Sequence, residues 1–506
     1  MPDTVRIELQ PLGESFELER GTPLQDVLFA HGVEFPCGGR QRCKGCRVRV
    51  VRGAIPITPE QESLLSGEEL AAGWRLACAG KAESDLTLEL GQWEAAILAD
   101  NTAFDFTPRP GLGVAVDLGT TTIVAQLLDL SNAHVLAVRS ALNLQARHGA
   151  DVMSRVSFAT QGDGLARLNR LVRHQIGQLI GELLEAAHGD GRPIETVAVV
   201  GNTVMHHLFC GIDVTPLSLY PFEPARDGLE VFRSSDLGWE ISGDPPVRFL
   251  PCLGGFVGSD ILAGILATRL DQSEMLLGLV DLGTNGEIVI GNRERLLCAS
   301  TAAGPAFEGA RVSMGMRAAT GAISKVTIEA GRLACHVLGD VAPRGICGSG
   351  LVDAVAAGLD LALIQPSGRL RDGPNGSLLL REPVSITQAD VRELQLAKGA
   401  IAAGIRLLLK RWGARPEDLT RLYLAGAFGN YISRASARRI GLLKFPIDMV
   451  KPAGNTALLG AKLALFNSSE EEFAYSALRR KTEHLTLNTE PAFQNVFVEE
   501  MTFPAA

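Results

Sequence analysis

The 506-residue chain has no apolar run of the roughly 20 residues that crossing a bilayer takes. Its opening, MPDTVRIELQ, lacks a basic segment followed by an apolar core, so no signal peptide is expected. Positive charge is scarce as well: a formal net charge of −9 leaves no basic footprint for nucleic acid. Neither nucleic acid nor a membrane is therefore an expected partner. Two catalytic signatures are missing, a glycine–lysine phosphate loop and a Ser, His and Asp set at hydrolase spacing. The nine cysteines are odd in number, and no secretory context accompanies them. Metal or redox use in a reducing, cytoplasmic compartment is expected rather than a disulfide framework. The rest is ordinary, with 46% apolar and 21% charged residues. The length calls for about two to four domains.

What the chain does have is one pentapeptide twice. Residues 116–120 and 280–284 both read V-D-L-G-T, the first continuing as TT and the second as NGE. Each copy follows an apolar run, GVAVD or LGLVD, and precedes another, IVAQLL or IVIG. That is the pattern of a tight hairpin turn between two strands, made twice by internal duplication. Glycine lets backbone approach a ligand with no Cβ in the way. Exposed N–H groups beside Thr hydroxyls suit phosphate oxygens. The Asp ending the first strand can orient Mg²⁺ or a water beside those phosphates. The candidate catalytic residues are therefore Asp117, Asp281 and Glu287. The candidate phosphate contacts are Gly119, Thr120, Thr121, Thr122, Gly283, Thr284 and Asn285. Two such turns face to face would clamp one triphosphate between two lobes.

The first ninety residues read differently. VRIELQ (5–10) and ESFELER (14–20) alternate as a β-hairpin, and TPLQDVLFAHG (22–32) reads as a short helix. Cys37, Cys43 and Cys46 then share a glycine-rich loop, with Cys78 far downstream. Three thiolates on one loop and a distant fourth suit a [2Fe–2S] cluster. A zinc site normally offers two close pairs; zinc and unliganded thiols remain the alternatives. Arg40, Arg42, Lys44 and Arg47 surround these cysteines and would favour a reduced, more negative cluster and an acidic redox partner. A solvated loop is the plain alternative for them. Residues 93–111, ending in Pro-Arg-Pro-Gly, read as a linker.

On these residues the N-terminal part (1–92) resembles a β-grasp [2Fe–2S] ferredoxin. Its five residues between the first two ligands are as in the adrenodoxin and putidaredoxin branch. The resemblance makes Cys37, Cys43, Cys46 and Cys78 the ligands. The remainder, 112–506, resembles the acetate and sugar kinase, Hsp70 and actin superfamily at 117–122, 201–208, 281–287, 424–430 and 454–461. This implies an α/β, two-lobed ATPase with duplicated ribonuclease H-like cores, using ATP and Mg²⁺. The lobes would span about 112–275 and 276–450, with 451–506 returning to the first. Gly426 and Gly429 would approach the adenosine. STAAGPAFEGA (300–310), PRGICGSGLVDAVA (343–356) and the tail at 485–504 make the whole chain similar to the reductive activators of corrinoid proteins.

That likeness implies ATP-dependent one-electron reduction of Co(II) to Co(I) on a corrinoid protein of a methyltransferase system. An upstream electron donor is implied, and a homodimer is a further expectation. Family members carry a middle domain between linker and ATPase. The first phosphate strand here begins by Gly113, so that domain is expected to be absent or reduced. Three other readings compete: a small-molecule kinase with an accessory ferredoxin, a non-enzymatic redox scaffold that binds ATP only as a conformational ligand, and an ATP-gated activator of another low-potential enzyme. Activators of the last kind use a shared [4Fe–4S] cluster, which this cysteine loop does not suggest.

Among other residues, Cys210, Cys252, Cys298, Cys335 and Cys347 have no ligand spacing and are expected to be buried thiols, Cys347 with some claim to the nucleotide. His206 and His207 are expected to serve packing. Glu308 is expected either to fix its loop or to face the corrinoid partner.

Overall fold

The computed structural model describes residues 4–10, 14–28, 33, 41, 46–90, 104–187, 191–283, 285–309, 311–371, 376–429, 431–467 and 472–505. Cys37, Cys43 and Thr284 lie outside them, as does 93–103 of the linker.

Alternation builds the first sheet. In β1 (Thr4–Gln10), Val5, Ile7 and Leu9 point inward and are buried. β1 pairs antiparallel with β2 (Glu14–Glu19) and parallel with β5 (Leu86–Leu90). With β3 (Arg47–Arg52) and β4 (Trp74–Leu76) the order is β2-β1-β5-β3-β4, a β-grasp sheet. The helix Leu24–Leu28 buries both of its terminal leucines against that sheet.

The duplicated pentapeptide lies in two sheets of like topology. β6 (Leu112–Leu118), β7 (Thr122–Asp129) and β8 (His134–Leu142) form an antiparallel meander. β9 (Ile194–Gly201) runs parallel to β6, with β11 (Pro246–Phe249) parallel beyond it and β10 (Glu230–Arg233) at the edge. In the second lobe β12 (Leu277–Leu282), β13 (Gly286–Gly291) and β14 (Leu296–Thr301) repeat the meander. β15 (Ala322–Glu329), β16 (Arg332–Val337) and β17 (Gly345–Ile346) make a small separate sheet, and β18 (Ser377–Arg381) with β19 (Val384–Thr387) a ribbon. β20 (Arg421–Ala425) and β21 (Val450–Gly454) then continue the second-lobe sheet in parallel, where β9 and β11 continue the first. Asp117 pairs with Val200 and Asp281 with Ala425, so the two aspartates occupy equivalent places.

Helices cover the outer faces. In Gly164–Ala186, Leu168, Val172, Ile176, Leu179 and Leu183 recur at helical spacing and are all buried on the first sheet. Gln388–Trp412 covers the second sheet, begun by a capping box between Thr387 and Asp390 and ended by Gly413 at φ 85°. Two further helices, Ser259–Thr268 and Thr456–Phe466, lie between the sheets and share one core with Ala115 and Val124 on one side and Leu279 and Val289 on the other. They touch backbone to backbone: a Cβ on Gly460 would stand 2.3 Å from the Ala263 oxygen.

Two boundary expectations change. Of 451–506, the helix Thr456–Phe466 packs on β6 and β9 and Arg479 pairs with Asp227 of the first lobe, but the C-terminal part joins the second lobe. β22 (Thr482–His484) pairs parallel with β14, and the helix Phe493–Met501 packs on Gln388–Trp412. The apolar face of that last helix meets the second core, which decides its side. The linker also tightens before 112. Phe104 packs edge-on and Phe106 tilted against Phe466, at 5.6 and 4.9 Å, and the Arg109 guanidinium donates to the Leu465 carbonyl at 2.9 Å. Residues 104–111 therefore belong to the body.

Candidate functional site

Both pentapeptide turns are closed by the glycine N–H, the second turn being one residue shorter than the first. The Gly119 N–H donates to the Thr122 carbonyl at 3.1 Å, and the Gly283 N–H to the Asn285 carbonyl at 3.0 Å. A cavity of about 300 Å³ lies between the lobes, and both turns line it. Asp117, Gly119, Thr120, Thr121, Thr122, Asp281, Gly283, Asn285, Glu287 and Gly426 are all on its wall. Gly429 is not; it is buried behind the wall, where a Cβ would come within 3.2 Å of Leu424. Gly426 has φ +84°, and a Cβ there would be 2.5 Å from Asp281 Oδ1. Glycine at 426 thus leaves room for the Asp281 carboxylate.

Four helices begin at this cavity. Asn202 caps Thr203–Cys210 by accepting from the Met205 N–H at 3.0 Å, and its amide nitrogen donates to Thr120 Oγ1 at 2.8 Å. Asn455 caps Thr456–Phe466 through the Leu458 N–H, and donates to Asp117 Oδ2 at 2.9 Å. Ser259–Thr268 presents Asp260, and Gly348–Asp360 presents Gly348 and Ser349. Helix N-termini favour anions and present unpaired N–H groups. From the second lobe, Glu308 Oε2 accepts from Thr121 Oγ1 at 3.4 Å, so Glu308 faces the cavity. Phe307 and Phe428 stack at 4.8 Å along another wall.

Against that positive field stand four acids. Burial pushes Asp117 up to about 6, held back by the Asn455 hydrogen bond. Burial, then the Asp117 charge, takes Asp281 to about 7. Asp260 reaches about 8 through burial and then the charge of Asp281. Glu287 is raised well above the usual carboxylate range by burial, then by Asp260 and Asp281. A divalent cation reverses such shifts. Among the described residues no three His, Cys, Asp or Glu side chains converge as a ready metal cage. Asp117, Asp260 and Asp281 line the cavity as carboxylate oxygen donors of the kind Mg²⁺ shares with phosphate oxygens and water.

In the first sheet's domain, Cys46 ends the cysteine loop as β3 begins, and Cys78 lies in the turn after β4. Their sulfurs are 3.3 Å apart. A disulfide needs ~2.05 Å, whereas two thiolates on one tetrahedral metal with ~2.3 Å bonds stand about 3.8 Å apart. The pair is in thiol hydrogen-bond contact rather than bridged, about half an ångström inside the spacing that shared ligation asks for. Among the remaining cysteines, Cys210, Cys252 and Cys298 have thiols pushed far up by burial, and Cys347 lines the interlobe cavity. His206 and His207 are buried; His206 packs edge-on to Phe249 at 4.9 Å.

Sequence reasoning missed Asp260 and the role of Asn455. For Asp260 the signal was Gly-Ser-Asp before the apolar run ILAGILA, a helix start. No local signal marks Phe307 and Phe428 as neighbours, because they stand 121 positions apart in the chain.

Comparison with known proteins agrees with this layout. Residues 7–83 match the 2Fe-2S iron-sulfur cluster binding domain, 112–273 the RACo middle region, and 274–506 the C-terminal domain of RACo, the ASKHA domain. The corrinoid activation enzyme RamQ of Eubacterium limosum is 37% identical, over 80% of this chain and 74% of its own length. The [Co(II) methylated amine-specific corrinoid protein] reductase of Methanosarcina barkeri is 30% identical over 77% of each chain. A solved reductive activator for corrinoid,iron-sulfur protein superposes with a TM-score of 0.70 at 28% identity, covering 99% of this chain and 98% of its own. The middle domain expected to be missing is thus present: it is the six-stranded first lobe itself, 112–273, which carries the first phosphate turn. With three family regions matched in order, and relatives of 37% and 30% identity matched over about three quarters of their lengths, the chain belongs to the RACo family.

Proposed function

We propose that this chain reductively activates a corrinoid protein of a methyltransferase system, reducing Co(II) to Co(I) by one electron at the expense of ATP. The observation that carries the reading is the union, in one chain, of the Cys46–Cys78 sulfur pair with an interlobe cavity lined by two phosphate turns. A bound [2Fe–2S] group supplies a one-electron carrier. Cys46 and Cys78 hold it, with Cys37 and Cys43 completing the ligand set. Thr120, Thr121, Thr122, Thr284 and Asn285 hold phosphate oxygens. Asp117 and Asp281 orient Mg²⁺ and the attacking water, with Glu287 behind them. Gly426 keeps Asp281 free to do so.

Co(I) lies lower in potential than ordinary plant-type centres at about −400 mV. Each ~59 mV of uphill one-electron transfer costs about 1.4 kcal/mol. Closure of the lobes on ATP is the source of that energy in this reading. The electron comes from an upstream donor, and the protein works in the cytoplasm.

The test combines purified chain, Mg²⁺, a low-potential reductant and a Co(II) corrinoid protein, with or without ATP. The Co(I) absorption band is expected only with ATP. Equal Co(I) formation without ATP, or none with it, overturns the reading.

A further inference from the structure

The ferredoxin-like domain touches both walls of the interlobe cavity from behind. On the first lobe its core packs against Leu142, the last residue of β8, and against Leu144 and Ala146 just after it. This segment also grips the first phosphate turn. The Asn143 N–H donates to the Thr121 carbonyl at 2.8 Å, and Asn143 Nδ2 to the Gly119 carbonyl at 2.9 Å. Arg155 takes the remaining carbonyl, that of Thr120, and also bonds Gln145 Oε1 at 3.2 Å. Asn143, Gln145 and Arg155 are all fully buried. Every carbonyl of the Gly119-Thr120-Thr121 turn is thus held by the stretch that carries the ferredoxin contact or by the Arg155 side chain locked to it.

The second foothold is on the other lobe. Glu89 of β5 meets Arg344 at 3.1 Å. Arg344 leads directly through β17 into Cys347, Gly348 and Ser349 on the opposite cavity wall. A body that grips two lobes at once resists any change in the angle between them.

We infer that the ferredoxin-like domain braces the lobes, so that its docking and nucleotide binding oppose each other. Asn143 and Arg155 are positioning residues that transmit this from the first phosphate turn, and Arg344 does so from the second lobe. ATP closing the cavity loosens the ferredoxin; by reciprocity, loosening the ferredoxin tightens ATP. The cluster-bearing domain is then released toward a partner only when nucleotide is in place. This rests on the reading of the cavity as the ATP site.

The full-length, cluster-loaded protein is titrated with a non-hydrolysable ATP analogue and Mg²⁺, with no corrinoid protein present. Arg344→Glu is expected to bind the analogue about fivefold more tightly or better, and Leu144→Asp, on the other foothold, to shift in the same direction. Arg344→Lys keeps the charge and is expected to stay near the parent value. The urea midpoint of each variant reports that the body is folded, and the cluster absorption that the first domain is. Unchanged or weaker binding by both Arg344→Glu and Leu144→Asp overturns the brace while leaving the ATP site standing. A parent protein that does not bind the analogue removes the ATP site, and the brace with it.

Discussion

Asp117 and Gly426 show how a single residue is set by groups distant in sequence. Asp117 receives its hydrogen bond from Asn455, and Gly426 makes room for Asp281. Asp117→Asn is expected to lower ATP turnover by about 10²-fold or more, with the visible spectrum of the cluster unchanged; phosphate release at the parent rate would remove Asp117 from the chemistry. His206 offers a pH test. Burial, aided by the His207 charge, lowers it to about 3, while the unfolded chain takes up the proton near 6.5. Between those values the unfolded state binds more protons, so this contribution is complete above pH 6.5 and fades as pH falls toward 3. Asp117, Asp260 and Asp281, with raised values, pull the other way. The comparison of parent with variant is therefore the measurement. His206→Gln is expected to lose less stability to urea between pH 7 and pH 5 than the parent does.

Among elements, the two helices between the sheets form a close joint. Gly460→Val places a Cβ against the Ala263 carbonyl and is expected to cost about 1–3 kcal/mol or more, read as a lower urea midpoint. Because Thr456–Phe466 starts at Asn455, the same change is expected to weaken ATP-analogue binding. The cysteine pair is the corresponding joint of the first domain. Cys78→Ser is expected to bleach the cluster absorption while ATP hydrolysis persists; an unaltered spectrum would refute the ligand assignment.

For the whole molecule, the ferredoxin-like domain sits on its own ATPase body through Glu89 and Arg344. Asp117→Asn retains the electron carrier and loses ATP turnover, and Cys78→Ser does the reverse. If both functions must act within one chain, an equal mixture of the two forms no more Co(I) than either alone. Complementation in the mixture would point instead to exchange between subunits of a dimer.

Local patterns determined much of this protein. The repeat of V-D-L-G-T sets two hairpin turns because Gly and short polar side chains end one strand and begin another within a few residues. The spacing of Cys37, Cys43, Cys46 and Cys78 similarly points to a cluster before any fold is known. What only the tertiary structure decided are relations between segments far apart in the chain. Asp260 joins the acids because Gly258 lets its helix start against Gly201 and Asn202, where a Cβ would come within 2.2 Å of the Gly201 oxygen. Gly429 leaves the site because its short helix turns it toward Leu424. The side taken by the C-terminal segment follows from the pairing of β22 with β14, and the grip of the ferredoxin on both lobes from contacts at 142–146 and 344. Period and propensity act over a few residues; burial and charge act across whatever the packed chain brings together.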